Sequence, residues 1–201
     1  TDGAYWEFST ANEGNISSET SQVMASKDGT VVFATLGKRV RSYSREGALL
    51  CSTPLGTVTG STSPPIIGAF GDHSVAFSAS PDRAVPGGAQ GPRRVYRMDG
   101  ATCEVRELLA GTSDVGVRSS YPSDGRYLLV SSSGVMGGIT ACGTYCLYRF
   151  DTVSGGLQMV TTNAQGSARL SADGQQVIWR DGIGVDKLWT ASTGQTSTVT
   201  W

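Results

Sequence analysis

Four times along the chain a short acidic turn is followed by a run of consecutive apolar residues. The copies are SKDGTVVFA (Ser26 to Ala34), FGDHSVAFS (Phe70 to Ser78), PSDGRYLLV (Pro122 to Val130) and SADGQQVIW (Ser171 to Trp179). Asp followed by Gly suits a tight turn, because Asp caps its own backbone and Gly accepts positive φ. The runs after the turns are apolar on successive positions, as expected of strands covered on both faces. A second signal follows each run: Tyr43, Tyr96, Tyr148 and Trp189, each in a short β-like segment closed by a Gly-containing turn. The pattern predicts four repeats of four antiparallel strands, A to D, with the acidic turn joining A to B.

The turn aspartates Asp28, Asp72, Asp124 and Asp173 are spaced by 44, 52 and 49 residues. A period of this length built from short strands belongs to an all-β propeller, in which each blade buries its faces only by stacking on its neighbours. The predicted blades run over about 20–56, 64–109, 115–162 and 166–201, within a single module spanning 1–201. Strand A is expected at Ser21 to Ala25, Ile66 to Ala69, Val117 to Tyr121 and Ser167 to Leu170. Residues 1–12 read as an extra outer strand, giving five D-like strands against four each of A, B and C. That surplus points to a stretch of a larger propeller, with a closed four-bladed ring as the alternative.

The Ser-x-Asp-Gly turn, the β-run ending in an aromatic residue or Val, and the Tyr or Trp strand with its Gly turn together resemble the TolB-like (WD40-like) propeller repeat. The match is best at Ser26–Gly29, Pro122–Gly125 and Ser171–Gly174, and it covers about residues 20 to 201. Blade two departs, with Phe70 in place of Ser and His73 in place of Gly. The resemblance implies a fold and a habit of protein contact, not a reaction. It also leaves open a propeller domain belonging to a larger peptidase or transport protein.

Composition narrows the function classes. Sixteen basic and seventeen acidic side chains give a net charge of −1, so no electrostatic footprint for nucleic acid is present. No apolar run reaches the ~18 residues of a membrane span. No signal peptide is seen, and the chain opens at Thr1, which reads as a processed or excised protein. Cys142 and Cys146, in CGTYC, flank a three-residue turn short enough for a disulfide. That bond and the total of four cysteines favour an extracytoplasmic setting: periplasmic, secreted or cell-surface. Cys51 and Cys103 open the D strands of neighbouring blades, and because outer strands splay apart no bond between them is expected.

The repeats differ most between strands B and C. Blades one and four are compact there, whereas blade two inserts Ser78 to Arg94 and blade three Ser131 to Cys146. Long loops held on a rigid scaffold are common carriers of function. These two emerge on the same side of adjacent blades, and Asp82, Arg83, Arg93, Arg94, Met136 and Tyr145 are the candidate partner-binding residues. Basic residues before strand C (Lys38, Arg39, Arg41, Arg93, Arg94, Lys187) and the turn aspartates opposite suggest a weakly basic and a weakly acidic face.

No catalytic constellation, metal site or cofactor motif emerges. His73 is the sole histidine and sits in a repeat turn, where it reads as a surface residue rather than a triad member. Trp6, Trp179, Trp189 and Tyr148 fall at core-phased positions and read as packing rather than sugar platforms. The sequence therefore predicts a non-catalytic binding module for a protein or polysaccharide partner, with possible self-association through blade edges. The rival is a glycan-active propeller enzyme, which would need acids in the strand A segments.

Overall fold

A computed structural model describes residues 23–36, 39–53, 67–79, 92–111, 113–118, 126–134, 136, 142 and 145–200. The described residues form sixteen strands. Blade one holds β1 (Val23–Ala25), β2 (Val31–Leu36), β3 (Arg39–Ser44) and β4 (Leu49–Ser52). Blade two holds β5 (Ile67–Ala69), β6 (Ser74–Ala79), β7 (Arg94–Asp99) and β8 (Val105–Leu109). Blade three holds β9 (Val115–Val117), β10 (Tyr127–Ser132), β11 (Cys146–Asp151) and β12 (Leu157–Thr161). Blade four holds β13 (Ala164–Leu170), β14 (Gln176–Asp181), β15 (Asp186–Thr190) and β16 (Gln195–Thr198). Each blade is one four-stranded antiparallel sheet in chain order. Among the described residues no helix is long and apolar enough to cross a membrane.

The apolar runs explain the stacking. Side chains alternate across a strand, so a run with no polar gaps serves two neighbours. In β6, Val75 and Phe77 join the cluster shared with blade one, while Ala76 joins that shared with blade three. In β10, Leu128 and Val130 face blade two and Leu129 faces blade four. The strand C aromatics all lean the same way: Tyr96, Tyr148 and Trp189 pack against the preceding blade. Burial pushes the phenols of Tyr96 and Tyr148 above their ordinary range. On blade one, Val32, Ala34 and Tyr43 are buried as well, so its far side is also covered.

Blade four differs. Its strand β14 alternates, with Val177 and Trp179 buried, Ile178 half-buried and Gln176 and Arg180 exposed. The run QQVIW therefore has one covered face among the described residues, not two. The buried clusters join blades one to two, two to three and three to four; among the described residues none joins blade four to blade one.

The turns show why Ser, Asp and Gly recur. Ser26 Oγ donates to Asp28 Oδ1 at 2.7 Å, and the Thr30 and Val31 amides donate back to Asp28 and Ser26. Blade four repeats this with Ser171, Asp173, Gln175 and Gln176. The position after Asp is left-handed: Gly29 has φ 70°, Gly174 67° and, in blade two, His73 takes 62°. His73 occupies the glycine's place and also reaches across the junction, with Nε2 2.7 Å from Asp28 Oδ2 and 3.1 Å from Thr30 Oγ1. The blade three turn at Asp124 lies outside the described residues, as do residues 1–12. Strand A of blade three begins at Val115, two residues before the position expected from sequence, because Val115 and Val117 fill the cluster against blade two.

The cysteines bring one correction. Cys51 and Cys103 are bonded, with Cα atoms 5.3 Å apart. Cys103 precedes β8 and lies in the turn after β7, at φ 64°, rather than on the outer strand. That turn leans over blade one: Ser42 Oγ donates to the Gly100 carbonyl at 2.6 Å, and a Cβ at Gly100 would stand 3.0 Å from the Phe33 ring. Outer strands splay, but the turn between C and D does not. Cys142 and Cys146 are also bonded, with Cα atoms 5.4 Å apart.

Two outcomes follow from this architecture. Loop closure scales with loop length, and the separations are 52 and 4 residues. Replacing Cys51 and Cys103 with Ser is expected to cost about 4 kcal/mol, and replacing Cys142 and Cys146 about 2 kcal/mol. Chemical denaturation of the two double variants checks the order; a larger loss from the Cys142/Cys146 pair contradicts it.

The turn aspartates predict acid sensitivity. Hydrogen bonds from the Ser26 and Ser171 hydroxyls hold Asp28 and Asp173 below the usual carboxylate range, and backbone amides hold Asp99 and Asp181 there. At Asp151 desolvation pushes upward, but Arg126 and the Val153 and Ser154 amides outweigh it and set the pKa at about 2. A carboxylate depressed in the folded state stabilises fully above its unfolded pKa and loses that contribution as pH falls through the folded value. Melting temperature is therefore expected to be flat above about pH 5 and to drop steadily towards pH 2. A flat profile across that range contradicts it.

Candidate functional site

The side of the blades where B joins C is built differently at the second junction than elsewhere. Arg93, the last residue before β7, is clasped by blade three: its amide donates to Asp114 Oδ1 at 2.7 Å, and its carbonyl accepts from the Val115 amide at 3.0 Å. The base of the blade two loop thus extends the start of β9. From β9 the chain passes to Arg118, whose amide donates to the Leu129 carbonyl of β10. Its side chain turns towards the same end of the blade, where Nε donates to Ser131 Oγ at 2.7 Å. The guanidinium lies over the Tyr145 ring, 5.4 Å from its centroid. Together these groups bound a cleft of about 260 Å³, lined also by Ser132, Ser133, Val115 and Gly116.

The floor of this cleft is rigid. Val115 is fully buried, Ser131 and Ser132 are buried at the end of β10, and Ser132 Oγ accepts from the Gly134 amide. Tyr145 is fixed through its carbonyl, which accepts from the Ala164 amide at the start of blade four. Its neighbour Cys146 is fully buried and tied to Cys142, pinning the end of the blade three loop.

The candidate residues from sequence divide. Arg93 and Tyr145 meet at the cleft. Arg94 turns away and pairs with Glu107 of β8 at 2.7 Å. Met136 is buried at 5% exposure inside the cluster between blades two and three. Its side chain packs into that cluster instead of standing open to a partner. Asp82 and Arg83 lie outside the described residues. Arg118 was missed by sequence reasoning, though a signal existed: it is a charged residue in a segment otherwise assigned to strand A.

Several charges of the predicted basic and acidic faces are taken up in local pairs. Asp28 meets His73, Asp72 meets Arg97, and Lys187 lies 3.7 Å from Asp181. Arg180 pairs with Asp186 at 2.9 Å. These last two acids also line a larger cleft of about 690 Å³ on the uncovered face of blade four, beside Ile178 and Arg169. That cleft occupies the position where the other blades meet a neighbour. Among the described residues no group of three or more His, Cys, Asp or Glu is placed to hold a metal ion.

Sheets stacked face to face in chain order, each of four antiparallel strands with its apolar strand B inside, define propeller blades. No protein-family model matches the chain, and no curated protein matches it in sequence. Solved structures do match in fold. The chain is similar to TolB from Acinetobacter baumannii, at 18% identity and a TM-score of 0.58 over 90% of this chain and 44% of that one. It is similar also to a TolB candidate from Agrobacterium tumefaciens, at 15% identity and a TM-score of 0.58 over 91% of this chain and 62% of that one. The chain therefore spans about half the length of these propeller proteins, and at such identities the likeness is one of fold.

Proposed function

We propose that this chain is a non-catalytic propeller module that presents the junction of blades two and three to a protein partner outside the cytoplasm. The observation that carries the reading is the cleft itself. Two residues picked from unequal loops, Arg93 and Tyr145, lie on one cleft with Arg118, and the scaffold beneath them is buried. Loops and loop ends held on a packed scaffold are where binding groups concentrate. The TolB-like fold is consistent with protein contact. Two disulfides suit an oxidising compartment. The module is read as one unit over residues 1–201, and the uncovered face of blade four supports an arc of a larger propeller and a place for self-association.

A protein partner is favoured over a polysaccharide by one contact. Sugars stack on open aromatic faces, and one face of Tyr145 already carries the Arg118 guanidinium. The strand A acids that a glycan-cleaving site would need are lacking among the described β1, β5, β9 and β13, which carry Arg169 but no carboxylate.

The test replaces residues 81–91 with the short blade one connection and, in the same variant, Tyr145 of the cleft with Ala, leaving Met136 and the Cys142–Cys146 bond in place. The β-sheet circular dichroism is expected to persist, and capture of the native partner from an extracytoplasmic extract to be lost. Unchanged capture contradicts the reading. Hydrolysis of a glycan panel that survives the replacement moves the function to the enzyme alternative.

A further inference from the structure

Among the described residues, several arginines are fixed by a partner whose chemistry differs from one to the next. Arg94, Arg97, Arg126 and Arg180 are each paired with a carboxylate of their own blade. Arg118, like Arg149, is oriented by neutral groups, here the Ser131 hydroxyl on Nε and the Tyr145 ring below. That arrangement uses one edge and one face of the guanidinium. Its two terminal nitrogens have no hydrogen-bond acceptor among the described residues, and Arg118 lines the cleft.

We propose that this cleft binds a side-chain carboxylate of an acidic peptide segment, with Arg118 as the principal donor. The chemistry follows from the guanidinium's geometry. Its parallel N–H groups match the two oxygens of a carboxylate, and a charge-assisted pair of this kind is stronger and more directional than a neutral hydrogen bond. Holding the fork in place beforehand reduces the entropy lost on binding. The balance of charge agrees: among the described lining residues Arg118 faces one acid, Asp114, which already accepts from the Arg93 amide. Ser132 and Ser133 supply hydroxyls beside the fork, and Gly116, without a side chain, leaves the wall between Val115 and Arg118 open. The inference rests on the protein-binding reading above and names the chemistry of that same site.

The experiment uses the full chain and three probes. One is a doubly capped peptide Gly-Ser-Glu-Asp-Glu-Ser-Gly, the second its Gln/Asn isostere, and the third a galacturonate tetramer. Binding is followed at low salt through the Arg118 side-chain Nε–H NMR signal, which is assigned by its loss in Arg118→Lys and reports millimolar contacts. The acidic peptide is expected to shift the signal and to bind about tenfold or more tightly than its isostere, the usual scale for a hydrogen bond to a charged group. By fluorescence anisotropy Arg118→Gln is expected to abolish the preference for the acidic peptide, and Arg118→Lys to retain a part of it. Asp114→Asn, which keeps an oxygen for the Arg93 amide while removing the charge, is expected to tighten acidic binding. Loss of that gain would count against a charge-selective cleft.

Equal binding of peptide and isostere, or an acid preference that survives Arg118→Gln, overturns the proposal. Tighter binding of the galacturonate tetramer than of the peptide overturns the peptide source. If no probe shows acid selectivity while replacement of residues 81–91 and Tyr145 still abolishes partner capture, the carboxylate chemistry fails and the interaction surface stands. If capture is also unchanged, both fail.

Discussion

Face-to-face packing between blades is the constraint on which the rest depends. A four-stranded sheet of this size has apolar faces that, among the described residues, no helix covers, so each blade is stable only where a neighbour excludes water. Fully burying a side chain such as Phe33, Phe77, Leu129 or Tyr148 contributes about 1.5–3 kcal/mol, and all four are at most 1% exposed. Those contributions come in pairs of blades. The polar turns then act as fasteners across the same junctions: His73 to Asp28 between blades one and two, and Arg149 to the Gly174 carbonyl between blades three and four. The Cys51–Cys103 bond adds a covalent fastener to the first junction.

The second junction is built with excess. Blade two's loop base is hydrogen-bonded onto blade three's first strand, Met136 folds back into the shared cluster, and a disulfide fixes the end of the blade three loop. Part of this serves stacking itself, since Met136 and Cys146 belong to the shared cluster, and the rest shapes the surface above it. The result is a cleft whose polar walls stand on fully buried β10 and β9 residues. Groups supported in this way keep their orientation, and that is what a binding site requires of its scaffold.

The parts legible in sequence are those set by local chemistry that repeats. Ser-x-Asp-Gly is legible because its hydrogen bonds close within five residues, and the strand C aromatics because Tyr96, Tyr148 and Trp189 each fill the same space against a preceding blade. What the sequence concealed depends on contacts between repeats. Cys51 and Cys103 looked too far apart because the D strands splay, but the bond runs through a turn that leans across the junction. Met136 reads as a loop residue because nothing local says that its side chain joins the core. Arg118 has neighbours Ser131 and Tyr145 that lie 13 and 27 positions away, on β10 and just before β11. Ile178 read as buried because its strand copies the others, and only the position of blade four in the stack leaves it half-open.

The account's central claim is that the junction of blades two and three is the working surface and that blade four's open face is a stacking face. Hydrogen–deuterium exchange of the full chain, with and without the acidic peptide, tests it most directly. The prediction is added protection at residues 113–118 and 131–134 and no change on β13, β14 or β15. Protection gained on blade four, with the second junction unaffected, would contradict it.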